Sequence, residues 1–356
     1  MPIYDVGYRR WSGQLTSAWS RWWMIAESGI RIALKSNWIK RVSLACWLPI
    51  IYWGAGFLIF ERFNDPSFNE VVMQSGGESK SKSDRAAREL SERLSQAQSK
   101  MVRNEVIEQI QRNFSGFPAI DKLVEGLQSS DVGEVRHTFW TWMLMTYFRY
   151  PQITALIFLL GFVTPSLIAR DFRSRGLFIY FSRPIGRWEY IFGKFMVPAS
   201  FLLTITTLPA LVLYVLGVFV SPSITVVLST WDIPFRILLA SIVVIVPTVS
   251  LALMLSSLTQ ESRFATFGWF AVWALGQGAW LALWITAVDP NSPASQMAAI
   301  QKFSSISLYN VLGSAQSWAF GFEDFGNIYH NLLILLVITL VSLTVLFRRI
   351  SKFVHI

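Results

Sequence analysis

Charged residues are scarce in this sequence. Lysine, arginine, aspartate and glutamate together make up 15% of the 356 residues, whereas soluble domains carry roughly a quarter. Hydrophobic residues make up 53%, and the mean hydropathy is +0.43. This composition excludes an ordinary water-soluble domain and predicts a membrane protein.

Cysteine and histidine are nearly absent. The single cysteine, Cys46, excludes an intrachain disulfide, and its apolar neighbours predict a buried or lipid-facing thiol. His137, His330 and His355 lie far apart, so no metal site is expected. No cleavable signal peptide is expected either, because the first long apolar run begins near residue 42, behind a basic leader.

A phosphate-binding loop is also missing. Six residues separate Gly186 from Gly193 where such a loop requires four, and Phe195 stands where it has Ser or Thr. We therefore expect no bound cofactor and no enzymatic activity in this chain. Any energy from ATP would have to come from a partner protein.

Six apolar stretches are long enough to cross a bilayer as helices, which needs about 20 residues. They are 42–60, 153–169, 191–220, 235–258, 264–288 and 329–347. The predicted fold is therefore an all-α polytopic membrane protein with six transmembrane helices. None of these stretches holds an ionisable residue deep inside, which disfavours an ion-coupled carrier.

Basic residues set the predicted orientation, because they remain cytoplasmic. They concentrate before the first span, between the second and third spans, and in the tail at Arg348, Arg349 and Lys352. Both termini are therefore predicted to be cytoplasmic. The resulting division is a leader (1–41), a first span (42–60), an extracytoplasmic helical loop (61–150) and a five-helix membrane region (151–356) with a cytoplasmic loop at 170–190.

The leader mixes tryptophan with basic residues, as in Trp19, Trp22, Trp23 and Arg31. This pattern predicts an amphipathic helix on the inner leaflet, with membrane lipids as the partner. A nucleic-acid partner is not expected, because lipid headgroups are the nearer anion for a chain fixed in a bilayer.

The loop at 61–150 is predicted to form a small helical insertion. Leu90, Leu94, Ala97 and Met101 repeat at helical spacing, and a second short helix is expected at 120–127. The insertion could cap the spans or dock an extracytoplasmic protein. The aromatic residues Trp140, Trp142 and Tyr147 predict a helix at the outer interface that leads into the second span.

The most specific motif lies between the second and third spans. A charged segment that ends in glycine (residues 169–177, ARDFRSRGL) is followed by Ser182-Arg183-Pro184-Ile185-Gly186-Arg187 and then by Gly193-Lys194. This order and its position resemble the ABC-2 type transporter permeases. The sequence departs from the family at Arg175, where an acidic residue is common, and in its large first loop.

The resemblance implies that the loop at 170–190 contains a coupling helix that inserts into a groove of a separate ATPase subunit. Its arginines suit acidic partners, and its phenylalanines could act as anchors, although lipid headgroups are the alternative ligand. The predicted coupling residues are Arg170, Asp171, Arg173, Arg175, Arg183, Pro184, Arg187 and Glu189. Glu261 and Arg263 are a candidate second contact, or only a polar turn.

The fifth span carries a stripe of four tryptophans. Trp269, Trp273, Trp280 and Trp284 fall within about 60° of one another on a helix, with Gly276 on the same face and Gln277 at its edge. The stripe could line a substrate path or could pack against lipid and other helices. In the resembled family the second and fifth spans line the path between two permease copies, so Thr164 and Ser166 would face it.

The expected function is that of a permease subunit of an ABC exporter in a plasma membrane, such as a bacterial inner membrane. The resemblance implies a second permease copy, as a homo- or heterodimer, and an ATPase subunit that binds ATP and magnesium. Two alternatives remain open: a mechanotransmission or maturation subunit that acts on an outside partner through 61–150, and a membrane scaffold without an ATPase.

Overall fold

The computed structural model describes residues 20–63, 119–129, 131–182, 185–221, 226–287 and 303–354. Within these ranges the regular structure is helical, with no strand. The helices are Arg21–Leu34, Asn37–Ala45, Pro49–Phe63, Ile120–Leu127, Val132–Tyr147, Ile153–Val163, Pro165–Arg173, Gly176–Phe181, Arg187–Leu202, Leu208–Val220, Val226–Ser229, Ile233–Leu258, Ser262–Ala287, Leu308–Ala319 and Phe325–Val354. Two π-helical turns, Phe148–Gln152 and Leu203–Thr207, and the 3₁₀ turn Ser304–Ile306 complete the set.

Six helical runs in the described residues are long and apolar enough to cross a membrane, which confirms the predicted all-α fold. The spans, numbered from first to sixth, are Asn37–Arg62, Gly133–Arg173, Arg187–Val220, Ile233–Leu258, Ser262–Ala287 and Ile328–Lys352. We call Arg21–Leu34 the amino-terminal helix, Gly176–Phe181 the loop helix and Leu308–Ala319 the linker helix.

The second span differs most from the prediction. It begins at Gly133 and has 41 residues, so its helix includes Arg136, His137 and Arg149, which the sequence analysis placed in the loop at 61–150. The absence of ionisable residues therefore holds for 153–169 but not for the whole helix. The apolar stretch used for the prediction ends at these charged residues. Their burial in a helix could not be predicted, because the residues that pair with them lie far away in the sequence.

The buried Glu61 is one of these partners. Its carboxylate accepts two hydrogen bonds from the Arg136 guanidinium, at 2.9 and 3.1 Å, and a third from the Trp140 indole N–H at 3.1 Å. The Glu61 side chain is fully buried and that of Arg136 is 11% exposed. A buried carboxylate is tolerated only when its oxygens are satisfied in this way, so the network fixes the end of the first span against the second.

A second polar group ties the second span to the fourth. Asp232 accepts hydrogen bonds from Arg236 at 2.6 Å and lies 2.9 Å from the His137 ring nitrogen. Burial alone would raise the pKa of Asp232, but the hydrogen bonds from Arg236 and His137 outweigh it and hold the pKa below its ordinary value.

Two apolar clusters form the interior of the bundle. One contains Leu156, Leu160, Leu202 and Leu253, and the other contains Trp140, Leu213, Ile237 and Phe320. On the second and third spans the clusters are separated by the two π-helical turns.

Two short helices lie outside the spans. The predicted helix at 120–127 is present as Ile120–Leu127, and its apolar face is buried against the start of the second span. The linker helix was not predicted, because its 12 residues are too few and too mixed in polarity for a span. The predicted helix at 90–101 and the first part of the leader lie outside the described residues.

The Glu61 network predicts a large cost for removing one partner. Glu61→Ala leaves Arg136 buried and unpaired, which should cost about 3–5 kcal/mol and lower the thermal unfolding midpoint of the purified protein. As a control, Glu27→Ala breaks only the exposed ion pair with Arg31 and should cost under about 1 kcal/mol. Equal midpoints for the two variants would contradict this account.

Candidate functional site

Five parts of the chain meet at one end of the bundle, which we call the basic end. The amino-terminal helix contacts the third span through Trp22 and Phe192, with ring centres 4.8 Å apart. The sixth span contacts the third through a hydrogen bond from Arg187 to the Ser351 hydroxyl at 3.2 Å. The turn between the fourth and fifth spans reaches the end of the second through Glu261.

A buried ion pair joins the second span to the third at this end. The Lys194 ammonium lies 2.7 Å from Asp171 Oδ2 and also donates to the Leu167 carbonyl at 3.0 Å. The Tyr190 hydroxyl donates to the same Asp171 oxygen at 2.7 Å. Side-chain exposure is 8% for Lys194 and 15% for Asp171. The pair therefore fixes how the third span leaves the loop at 170–190, and we call it the Lys194 lock.

The adjacent glycine explains the other half of the Gly193-Lys194 motif. A Cβ on Gly193 would lie 2.8 Å from the Trp22 carbonyl oxygen and 2.8 Å from the Ile25 Cβ. Only glycine lets the amino-terminal helix pack this closely on the third span. The dipeptide thus positions two neighbours, the amino-terminal helix through Gly193 and the second span through Lys194.

The chain turns sharply between the second span and the loop helix. Arg175 has a left-handed backbone with φ of 54°, and Gly176 then begins the loop helix. Arg170, Arg173 and Arg175, which lie just before this turn or within it, are all exposed, and Phe178 in the loop helix is 46% exposed. Burial and the charge of Asp171 raise the pKa of Tyr180, on the same helix.

Glu261 and Arg263, the candidate second contact, lie beside Arg173 of the loop at 170–190. Arg173 Nη1 is 3.2 Å from Glu261, and Arg263 Nε is 3.7 Å from the same carboxylate. These side chains are largely exposed, so the pairs add little stability. Arg170 and Arg175 pair with no carboxylate among the described residues, which leaves two free guanidinium groups on this surface.

The remaining predicted coupling residues contact other parts of the chain or lie outside the described residues. Glu189 accepts a hydrogen bond from the Gly186 backbone N–H at 2.8 Å, so it caps the start of the third span. Arg187 is half-buried against the sixth span. Arg183 and Pro184 lie outside the described residues.

The tryptophan stripe divides into two pairs. Trp269 and Trp273 are buried, and the Trp269 indole donates to the Ile157 carbonyl of the second span at 2.8 Å. Trp280 and Trp284 stack on each other nearer the other end, with ring centres 6.3 Å apart. Within one chain the first pair therefore packs the fifth span onto the second.

The polar residues of the candidate path are also separated. The Gln277 amide oxygen accepts a hydrogen bond from Ser307 at 2.6 Å, and Gly276 lies against the backbone of Ile306 and Ser307. On the second span, the Ser166 hydroxyl donates to the Val163 carbonyl at 3.2 Å. The Thr164 hydroxyl is fully buried and has no hydrogen-bond partner among the described residues.

Sequence reasoning missed the Lys194 lock as an interaction, although it used both residues. The signal was present: a carboxylate inside an otherwise basic segment and a lysine at the start of an apolar run each need a partner. No group of three or more metal-binding side chains occurs within the described ranges.

The lock predicts a specific loss of stability. Lys194→Met leaves the partly buried Asp171 without its cation and the Leu167 carbonyl without a donor, which should cost about 3 kcal/mol. The thermal unfolding midpoint should fall, and the amides of the loop helix should exchange hydrogen faster. Lys352→Met removes an exposed lysine from the same end and should change neither. Similar behaviour of the two variants would contradict the lock.

Comparison with known proteins agrees with the resemblance seen in the motif. No curated protein and no solved structure matches the chain at a significant level. The sequence model of the ABC-2 family transporter proteins matches residues 23–352, which is nearly the whole chain and includes all six spans and the Lys194 lock. The chain therefore belongs to the ABC-2 transporter family, as a multi-pass membrane permease.

Proposed function

We propose that this permease belongs to an ABC exporter and is driven by a separate ATPase subunit that docks on the basic end. The ATPase binds ATP and magnesium and hydrolyses ATP, whereas the permease holds no cofactor and catalyses no reaction. The complex contains a second permease copy and lies in a plasma membrane, with the basic end in the cytoplasm. Outward transport follows from the family resemblance.

The observation that carries this proposal is the surface formed by Arg170, Arg173 and Arg175. Their guanidinium groups are exposed, and two of them lack a carboxylate partner in the described chain. Arginine presents planar, paired donors that match carboxylates. Phe178 beside them offers an aromatic anchor of the kind that dominates protein interfaces. An acidic groove with an apolar floor fits this surface.

The same end supplies a route by which the ATPase would move the spans. The loop helix follows the second span directly, and the Lys194 lock joins that span to the third. A displacement of the loop helix would therefore be passed to both spans as rigid bodies. Arg173 and Glu261 extend the contact to the turn between the fourth and fifth spans.

The second copy is proposed to lie along the fifth span. In the most apolar 18-residue stretch of this span, only 6% is buried within the chain, the lowest share among the six spans. Phe267 and Leu275 are among its exposed residues. Trp280, Trp284 and the neighbouring second span would then border the path between the two copies. The route itself stays a prediction, because the Trp269 and Trp273 side chains pack within one chain.

Charge reversal on the docking surface provides the test. Arg175→Glu combined with Arg170→Glu should weaken binding of the cognate ATPase at least about tenfold, because each substitution turns an attraction into a repulsion. Binding is measured by co-purification and by titration of the ATPase onto the permease in nanodiscs. ATP hydrolysis stimulated by the permease should fall in parallel.

Arg62→Glu together with Lys122→Glu is the matched control, and it carries the same change of net charge. Both residues are exposed and lie near the start of the second span, away from the basic end. It should bind the ATPase like the wild type. Loss of binding in both double variants would indicate a general charge effect, and unchanged binding in the Arg170/Arg175 variant would refute docking on this surface.

A further inference from the structure

A widened helical turn interrupts the second span far from the basic end. The π-helical turn Phe148–Gln152 contains Pro151, which has no backbone N–H to donate. Such turns occur mostly as single insertions in helices and frequently at functional sites. The facing element is the linker helix, which packs against this turn.

Arg149 projects from the turn onto the linker helix. Its Nη1 donates to the Tyr309 carbonyl at 3.0 Å, its Nη2 donates to the Asn310 side-chain oxygen at 3.3 Å, and the guanidinium lies 4.4 Å from the centre of the Tyr309 ring. A Cβ on Gly313 would lie 0.8 Å from Nη1. The charge therefore sits directly on the backbone of the linker helix, where only glycine leaves room.

Among the described residues, the Arg149 cation has only neutral hydrogen-bond partners. Two of its five N–H groups are used, and it forms no salt bridge within the described part of the chain. The Glu323 carboxylate acts on it electrostatically but does not reach it as an ion pair. An arginine inside a membrane protein without a counter-charge is costly and marks a functional site.

Two neighbouring polar groups also lack partners. The Gln316 side chain is 1% exposed, and its amide makes no hydrogen bond to any described residue. The amide nitrogen of Asn310 is likewise without a partner in the described part of the chain. The Tyr147 side chain instead packs on Trp53 of the first span and interacts with Gln152. Buried polar groups are nearly always satisfied, so two unpaired amides beside one arginine are unusual.

The linker helix aims Gln316 toward the second span. Gly313, Gln316 and Phe320 share one face of the helix, because residues three, four and seven apart lie on the same side. Gly313 contacts Arg149, and the Phe320 ring lies 5.6 Å from that of Phe148. Gln316, between them, therefore points at the same part of the second span. The turn Phe148–Gln152 also lies at the boundary between the two apolar clusters.

We propose that Arg149, Asn310 and Gln316 form a binding site for an oxyanion, a phosphate or carboxylate group. The three side chains supply the remaining guanidinium N–H groups and two sets of amide N–H groups, which are donors beside a positive charge. Phosphate and carboxylate oxygens accept such bonds, and charge-assisted bonds are the strongest of this kind. The anion occupies the guanidinium edge that now lies against Gly313, so it binds when the linker helix moves away from the second span.

Two sources could present this chemistry, a free anion and an anionic lipid headgroup. The test uses the full chain in phosphatidylcholine nanodiscs with two probes, inorganic phosphate in solution and phosphatidic acid in the bilayer. Binding is read from the rise of the thermal unfolding midpoint with probe concentration. At least one probe should stabilise the wild type, and the effective probe identifies the source. The experiment needs no ATPase, so it can succeed or fail independently of the proposed function.

Three variants decide the outcome. Arg149→Gln and Gln316→Leu should each weaken the apparent affinity about tenfold, the loss expected for a bond to a charged group. Arg31→Gln removes an exposed arginine elsewhere and should bind like the wild type. Because the Gln316 amide has no partner in the ranges that the structure describes, Gln316→Leu should unfold at or above the wild-type temperature without probe. A failure of both probes to stabilise the wild type, or equal binding by Gln316→Leu and the control, would overturn the proposal.

Discussion

The ion pair between Lys194 and Asp171 is the constraint on which the geometry of the basic end depends. The pair lies where the second span ends and the third begins, and its burial makes it costly to open. The helices that enter and leave the loop at 170–190 are therefore joined by this ion pair. Gly193, the preceding residue, places the amino-terminal helix on the same junction. Gly193 and Lys194 thus bring the amino-terminal helix and the second span into contact with the third span.

Charged side chains follow one rule in the rest of the bundle. Where a charge is buried, a partner distant in the sequence satisfies it, as Arg136 satisfies Glu61. Where charges are exposed, as at Arg170 and Arg175, they collect on a surface that a soluble partner could reach. Arg149 departs from the rule, because it is enclosed by neutral groups and other unpaired amides. We propose that this contrast separates charges that hold the fold together from charges that bind a partner.

Much of the fold was readable from the sequence because bilayer thickness imposes a length on apolar runs. Six spans were predicted on this basis and are present, and the helix at 120–127, which is present too, was predicted from its helical spacing. The start of the second span was not, since Arg136 is acceptable in the helix only through Glu61, 75 positions earlier. The linker helix was missed for a related reason: its buried face is defined by the fourth and sixth spans and not by its own pattern.

The candidate site was predictable in composition but not in contacts. The motif supplied Asp171, Arg173 and Lys194, and family resemblance supplied their expected role, yet pairing depends on how the spans pack.

The most direct measurement of the central claim is photo-cross-linking from position 175, compared with position 231, an exposed residue near Asp232 at the other end. A photoreactive side chain replacing Arg175 should cross-link to the co-expressed ATPase, and one replacing Trp231 should not. Cross-linking from position 231 alone, or from neither, would contradict an ATPase bound at the basic end.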